Sequence, residues 1–223
     1  MGFDFNYMLG LLPILLKYLG TTMEMAIWGL FFALILSLIL ANIRVFKIPV
    51  LDQLSQLYIS FFRGTPLLVQ LFLLYYGRPQ VFPWMVGLDA FGAAVIGLTL
   101  HFAAYMAESI RAAIIGIDRS QMEASLSVGM TTSQAMRRVI LPQATRVALP
   151  SLMNYFIDMI KSTSLAFTLG VAEIMAKAQM EASSSFRFFE AFLAVALIYW
   201  GVVVILTRIQ IWAEVKLNKA YVR

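Results

Sequence analysis

Met25 to Ile43 is a run of nineteen residues without one charged side chain. A helix rises 1.5 Å per residue, so about 20 apolar residues cross the ~30 Å hydrocarbon core of a bilayer. Four more runs follow: Leu54 to Gly77, broken by Arg63-Gly64-Thr65-Pro66; Ala90 to Ala107, ending at Glu108; Val147 to Ala172, carrying Asp158 and Lys161; and Ala191 to Thr207. In lipid every backbone polar group must be satisfied inside a helix or a closed barrel. Runs this long predict an all-α integral membrane fold with about five transmembrane helices. Of 223 residues, 61% are hydrophobic and 13% charged, against about a quarter charged in soluble domains. One membrane unit is expected over 1–223, its core at about 19–212, with no internal repeat. The chain has no cysteine, which excludes disulfides and thiol chemistry. Its acidic start, Met1 to Asn6, lacks a small-residue cleavage site, so no cleavable signal peptide is expected.

The placement of the cations says more than the net charge of +5. With the N-terminus outside, the inner side holds Arg44, Lys47, Arg111, Arg119, Arg137, Arg138, Arg146, Arg208, Lys216, Lys219 and Arg223, eleven in all. The outer side holds four: Lys17, Arg78, Lys177 and Arg187. Arg63 and Lys161 lie within spans. The positive-inside rule therefore sets a multi-pass chain with its N-terminus outside, its C-terminus in the cytoplasm, and residues 111–146 on the cytoplasmic side. The basic balance reads as membrane topology, not nucleic-acid binding.

That cytoplasmic stretch is polar in an otherwise apolar chain. Ser120 with Glu123 forms a capping-box pattern, Gly129 suits a left-handed helix stop, Thr131 with Gln134 repeats the box, and Pro142 marks an exit. Two short helices with an apolar side of Met122, Leu126, Met136 and Val139 are expected over 118–142.

The pattern Glu123-Ala124-x-x-x-x-Gly129, followed by Ile140-Leu141-Pro142, resembles the EAA loop of bacterial ABC importer permeases. Three further segments resemble polar-amino-acid permeases of the histidine, glutamine, arginine and cystine uptake group: Tyr58 to Pro66, His101 to Ile114, and Lys161 to Leu165. The resemblance implies a type I importer permease in the bacterial inner membrane. It implies an ATP-binding-cassette ATPase dimer as partner, a second permease (an identical or a paralogous copy), and an extracytoplasmic solute-binding protein. ATP and Mg would sit on the ATPase, so no cofactor is expected on this chain. Glu123, Ala124, Gly129, Arg137, Arg138, Ile140, Leu141 and Pro142 would couple it to the ATPase. The sequence departs from the family at Ser125, His101, Ser162 and Asp158, and the last three bear on the ligand.

Several residues admit two readings. Arg137 and Arg138 suit either acids of the ATPase or lipid phosphates. Arg63, Gly64, Thr65 and Pro66 form a structural hinge or a gate, since a charge at membrane depth costs roughly 2.5–3.5 kcal/mol on insertion scales and must be paired or snorkel. Glu108 with Arg111, and Asp158 with Lys161, are each three residues apart and share a helix face. Each is a local ion pair, or else its acid faces a pathway and meets an amino-acid ammonium. Tyr105, Thr163 and Ser164 could complete such a site. His101, the sole histidine, is a packing residue or a ligand neighbour, and alone it builds no metal site. Trp28, Trp84, Trp200 and Trp212 read as interface anchors, and Gly92 and Gly97 as sites of close helix approach.

No Gly-x-x-x-x-Gly-Lys-Ser/Thr phosphate loop occurs anywhere, so any ATP-driven work needs another chain. An intramembrane hydrolase would need a nucleophile with a placed base, which one histidine does not supply. The expectation is a non-enzymatic permease for a polar amino acid, with a basic or dimeric amino acid such as cystine among the candidates. A permease for another small solute is the alternative.

Overall fold

The computed structural model describes residues 2–81 and 87–218. Trp84, Lys219 and Arg223 lie outside them. The described residues are mostly helical and contain no strand. The helices are α1 (Phe5–Leu16), α2 (Leu19–Phe46), α3 (Leu51–Gly64), α4 (Leu67–Phe72), α5 (Arg78–Val81), α6 (Ala90–Ile115), α7 (Arg119–Ser127), α8 (Thr132–Ala135), α9 (Leu141–Ser162), α10 (Ile174–Ser185) and α11 (Phe188–Asn218).

Among the described residues three helices, α2, α6 and α11, are long and apolar enough to cross a membrane unbroken. Two more crossings are bent pairs, giving up to five. In the first, α3 turns by 110° into the helix that runs from Leu67 to Val81. The turn follows from the sequence: proline disfavours the helical region for the residue before it, and Thr65 is extended at φ −120°, ψ 146°. In the second, the rod Thr132–Leu169 bends by 54° into α10.

Several spans are longer than expected: the first runs Leu19–Phe46 rather than Met25 to Ile43. The third does not stop at Glu108 but continues to Ile115, because Arg111 pairs with Glu108 along the helix. The fifth runs on past Thr207 to Asn218. The apolar helix α1 was not expected; at twelve residues it is too short to read as a crossing.

The two larger hydrophobic cores organise the described residues. One gathers Met25 of α2, Leu71 of α4, Leu98 and Phe102 of α6, and Met159 of α9. The other packs Leu11 and Leu15 of α1 against Ile174 and Ala178 of α10 and Ala194 of α11. Gly97 permits close approach of α4, since a Cβ there would collide with the Leu71 side chain. Gly92 does not serve this purpose. It lies in the first turn of α6, and a Cβ would meet only Asp89 and Leu88 just before the helix. Trp28, Trp200 and Trp212 are exposed on the outer surface.

Candidate functional site

The cytoplasmic-loop sequence folds as a bent element. Asp118 caps α7, its Oδ1 accepting the Ser120 N–H at 2.9 Å. The expected Ser120–Glu123 box is not formed, because Asp118 takes the capping position and Ser120 enters the helix. Those hydrogen bonds, first the Ser120 backbone N–H and then its hydroxyl, hold the Asp118 carboxyl below its ordinary pKa. Gly129 ends α7 at φ +84°, and Met130 N–H closes back on the Ser125 carbonyl at 3.1 Å. The Thr131–Gln134 capping box is present in both directions.

Pro142 is not an exit. From Thr132 the chain stays helical through a wide turn, Met136–Ile140, straight into α9. Pro142 lacks an N–H, so the Arg138 carbonyl has no partner four residues on. The ladder widens there, and Leu141 N–H reaches five residues back to Met136. Of the expected apolar side, Met122, Met136 and Val139 are half-buried, and Met122 and Met136 line a recess with Ile114 and Ile140. The most exposed large apolar residues on this element are Leu126 and Val128. Glu123, Ala124, Arg137 and Arg138 are exposed, Leu141 is 37% exposed, and Ile140 is buried.

The second cluster surrounds the first bend. His101, Tyr105 and Glu108 lie on α6 at spacings of four and three, one face of the helix. His101 Nδ1 is 3.0 Å from Gln70 Oε1. The Gln70 amide nitrogen donates to the carbonyls of Phe62 and Thr65 and to the Thr65 hydroxyl, at 2.8–3.1 Å. Gln70 therefore ties the two arms of the bend together across Gly64 and Pro66. Tyr105 donates to the Arg63 carbonyl at 3.4 Å, and the Arg63 guanidinium lies 5.4 Å from the Tyr105 ring centroid. Arg63 is exposed. Glu108 receives two hydrogen bonds from Arg111 Nε, each 3.1 Å.

On α9, Lys161 Nζ sits 2.6 Å from Asp158 Oδ1, with both side chains about half exposed. Ser164 donates to the Lys161 carbonyl. Thr163 is fully buried and donates to the Ile160 carbonyl, so it does not share the open face of Asp158 and Lys161. Tyr155 joins the α6 and α9 groups, 6.0 Å from the Tyr105 ring and 2.9 Å from the Ser109 hydroxyl.

Three residues were missed by sequence reasoning. Gln70 stands in an apolar run directly after the break, which is the signal that could have found it. Tyr155 carried no signal beyond its place on the fourth run. Glu173 is fully buried, caps α10 through Ala176 N–H at 2.7 Å, and accepts from the Tyr199 hydroxyl at 3.4 Å. An acid so close to an apolar run was open to notice.

A helical membrane chain with a bent second span and a capped, glycine-hinged element before its fourth span has the type I ABC importer permease fold. Residues 33–219 match the family described as the binding-protein-dependent transport system inner membrane component, and the chain belongs to that family. It is an amino-acid ABC transporter permease. It is 94% identical, over the whole of both chains, to a probable amino-acid ABC transporter permease protein of Vibrio harveyi, PatM. It is 39% identical to TcyL, an L-cystine transport system permease protein of Bacillus subtilis, over 100% of this chain and 95% of that one. Its fold matches the crystal structure of an amino acid ABC transporter with histidines at a TM-score of 0.89 and 34% identity, covering 97% of this chain and 100% of that one.

Proposed function

We propose that this chain takes up a polar amino acid across the bacterial inner membrane by alternating access, as one of two permease subunits driven by a separate ATPase dimer and fed by an extracytoplasmic binding protein. The observation that carries the coupling part is the Gly129 bend, which turns Leu126 and Val128 outward beside exposed Glu123 and Ala124. Arg137 and Arg138 stand next to this surface, and Ile140, Leu141 and Pro142 join it rigidly to α9, so that a push on α7 is delivered to a span. The charge asymmetry supports a reading with this element in the cytoplasm and the N-terminus outside.

The pathway reading rests on His101, Tyr105 and Glu108 on one face of α6, with Asp158 and Lys161 exposed at the end of α9 and Ser164 half-buried just beyond it. Arg63 to Pro66 form the hinge beside them. Broken helices at depth are where transporters place substrate. The Asp158–Lys161 pair accounts for both charges without a ligand, so it gives no preference for a diamine. Cystine is the first compound to test, because the TcyL relative belongs to an L-cystine system. Labelled cystine, arginine, histidine and glutamine should be offered to membranes carrying the chain with its co-purifying ATPase and binding protein. ATP-dependent uptake of one of them supports the reading. Uptake of a non-amino-acid solute alone would favour the alternative permease.

A further inference from the structure

One face of α2 changes character along its length. Phe32, Ile35 and Ile39 line an apolar groove of about 390 Å³ against Ile96 and Thr99 of α6. The single polar liner, Thr99, turns its hydroxyl to the Gly29 carbonyl at 3.4 Å, which leaves its methyl for the groove. Three and seven residues further along the same face, Asn42 and Phe46 line a second recess of about 460 Å³, part apolar and part polar, with Thr132, Ser133, Met136, Arg137 and Leu141. The steps 32, 35, 39, 42 and 46 are threes and fours, so the two recesses share one helix face. Arg44, close by, is occupied by Asp52 at 2.8 Å. Arg137 is exposed and has no ion-pair partner among the described residues.

From Phe32 to Phe46 is fourteen positions, about 21 Å at 1.5 Å each. One leaflet is about half of a ~30 Å core plus roughly 5–7 Å of headgroup. The lengths agree, with the apolar groove at chain depth and the cation at headgroup depth on the inner side. This placement rests on the orientation proposed above.

We propose that this face is a binding site for an anionic phospholipid of the inner leaflet. An acyl chain lies along Phe32, Ile35 and Ile39, and the headgroup phosphate is held by Arg137 with the Ser133 and Thr132 hydroxyls. The lipid joins the coupling element to α2, so it stabilises the loop that meets the ATPase.

The test is lipid retention by the purified full-length chain, read by native mass spectrometry after exchange into mixed micelles of phosphatidylglycerol and phosphatidylcholine. One cation at an anionic surface contributes about 1 kcal/mol, a fivefold effect. Arg137→Gln is expected to weaken phosphatidylglycerol retention about fivefold and leave phosphatidylcholine unchanged. Arg138→Gln, the same charge change outside the recess, is expected to retain it. Equal loss in both variants, or loss in neither, overturns the proposal. Glycerol phosphate should not compete at the same concentration; if it does, the recess takes a phosphate without a chain and the site is not a lipid site. The chain has no cysteine, so Ile39→Cys gives one clean thiol. Disulfide-linked dimers through it would show that a second copy covers the groove and would also overturn the proposal.

Discussion

Gln70 Oε1 lies 3.0 Å from His101 Nδ1, and Gln70 simultaneously bridges both arms of the bend at Gly64–Pro66. The amide oxygen only accepts, so His101 must carry its proton on Nδ1. His101 is thus the link between the straight third span and the broken second one. Gln70 is 5% exposed, and an unsatisfied buried acceptor costs about 1–3 kcal/mol. His101→Ala is expected to lower thermal stability by that amount and reduce uptake, while His101→Asn keeps a donor and loses less. Thermal unfolding of the two variants checks this; equal stability of both with the native chain would contradict it.

Gly129 has φ +84° and open space where a Cβ would stand. The cost of substitution is therefore conformational, about 1–2 kcal/mol for an ordinary L-residue in this region. Gly129→Val is expected to abolish ATPase retention and uptake while membrane insertion stays normal. Gly129→Asn, which tolerates a positive φ, should retain most of both. Pull-down of the ATPase and membrane fractionation separate the two effects.

Asp158 and Lys161 are paired but half-exposed, so screening holds their mutual stabilisation to about 0–1 kcal/mol. Asp158→Asn is expected to leave the apparent KM for uptake within twofold. A tenfold rise, with normal thermal stability, would make Asp158 a ligand contact.

Local chemistry was legible where it was short-range. The Thr131–Gln134 box and the Gly129 turn depend on residues within five positions of each other. So did the two i,i+3 ion pairs. The Ser120 cap was misplaced because Asp118, two residues earlier, competes for the same N–H groups. Continuity through Pro142 was hidden, since a proline in the first turn of α9 widens the ladder without ending the helix. The inward turn of Thr163, the pairing of Gln70 with His101 and the burial of Glu173 depend on partners 26 or more residues away, or on which helix face packs, and periodicity does not reveal them.

Glu173 supplies a test of the second bend. It caps α10 and meets Tyr199 of α11. Losing the cap costs about 1 kcal/mol, and the stranded hydroxyl about as much again or more. Glu173→Ala is expected to be destabilised by about 2–3 kcal/mol on that basis. Glu173→Gln keeps an acceptor oxygen and should recover part of it. Denaturant or thermal titration in one detergent decides.

The most direct measurement is ATP-dependent accumulation of labelled cystine and basic amino acids in proteoliposomes that hold the chain, its co-purifying ATPase and its binding protein. Accumulation is predicted with all components and ATP, and none when the ATPase is omitted or Gly129→Val replaces the native chain. Accumulation that persists without the ATPase, or that is unaffected by Gly129→Val, would contradict the account of this chain as an ATPase-driven permease coupled through the α7–α8 element.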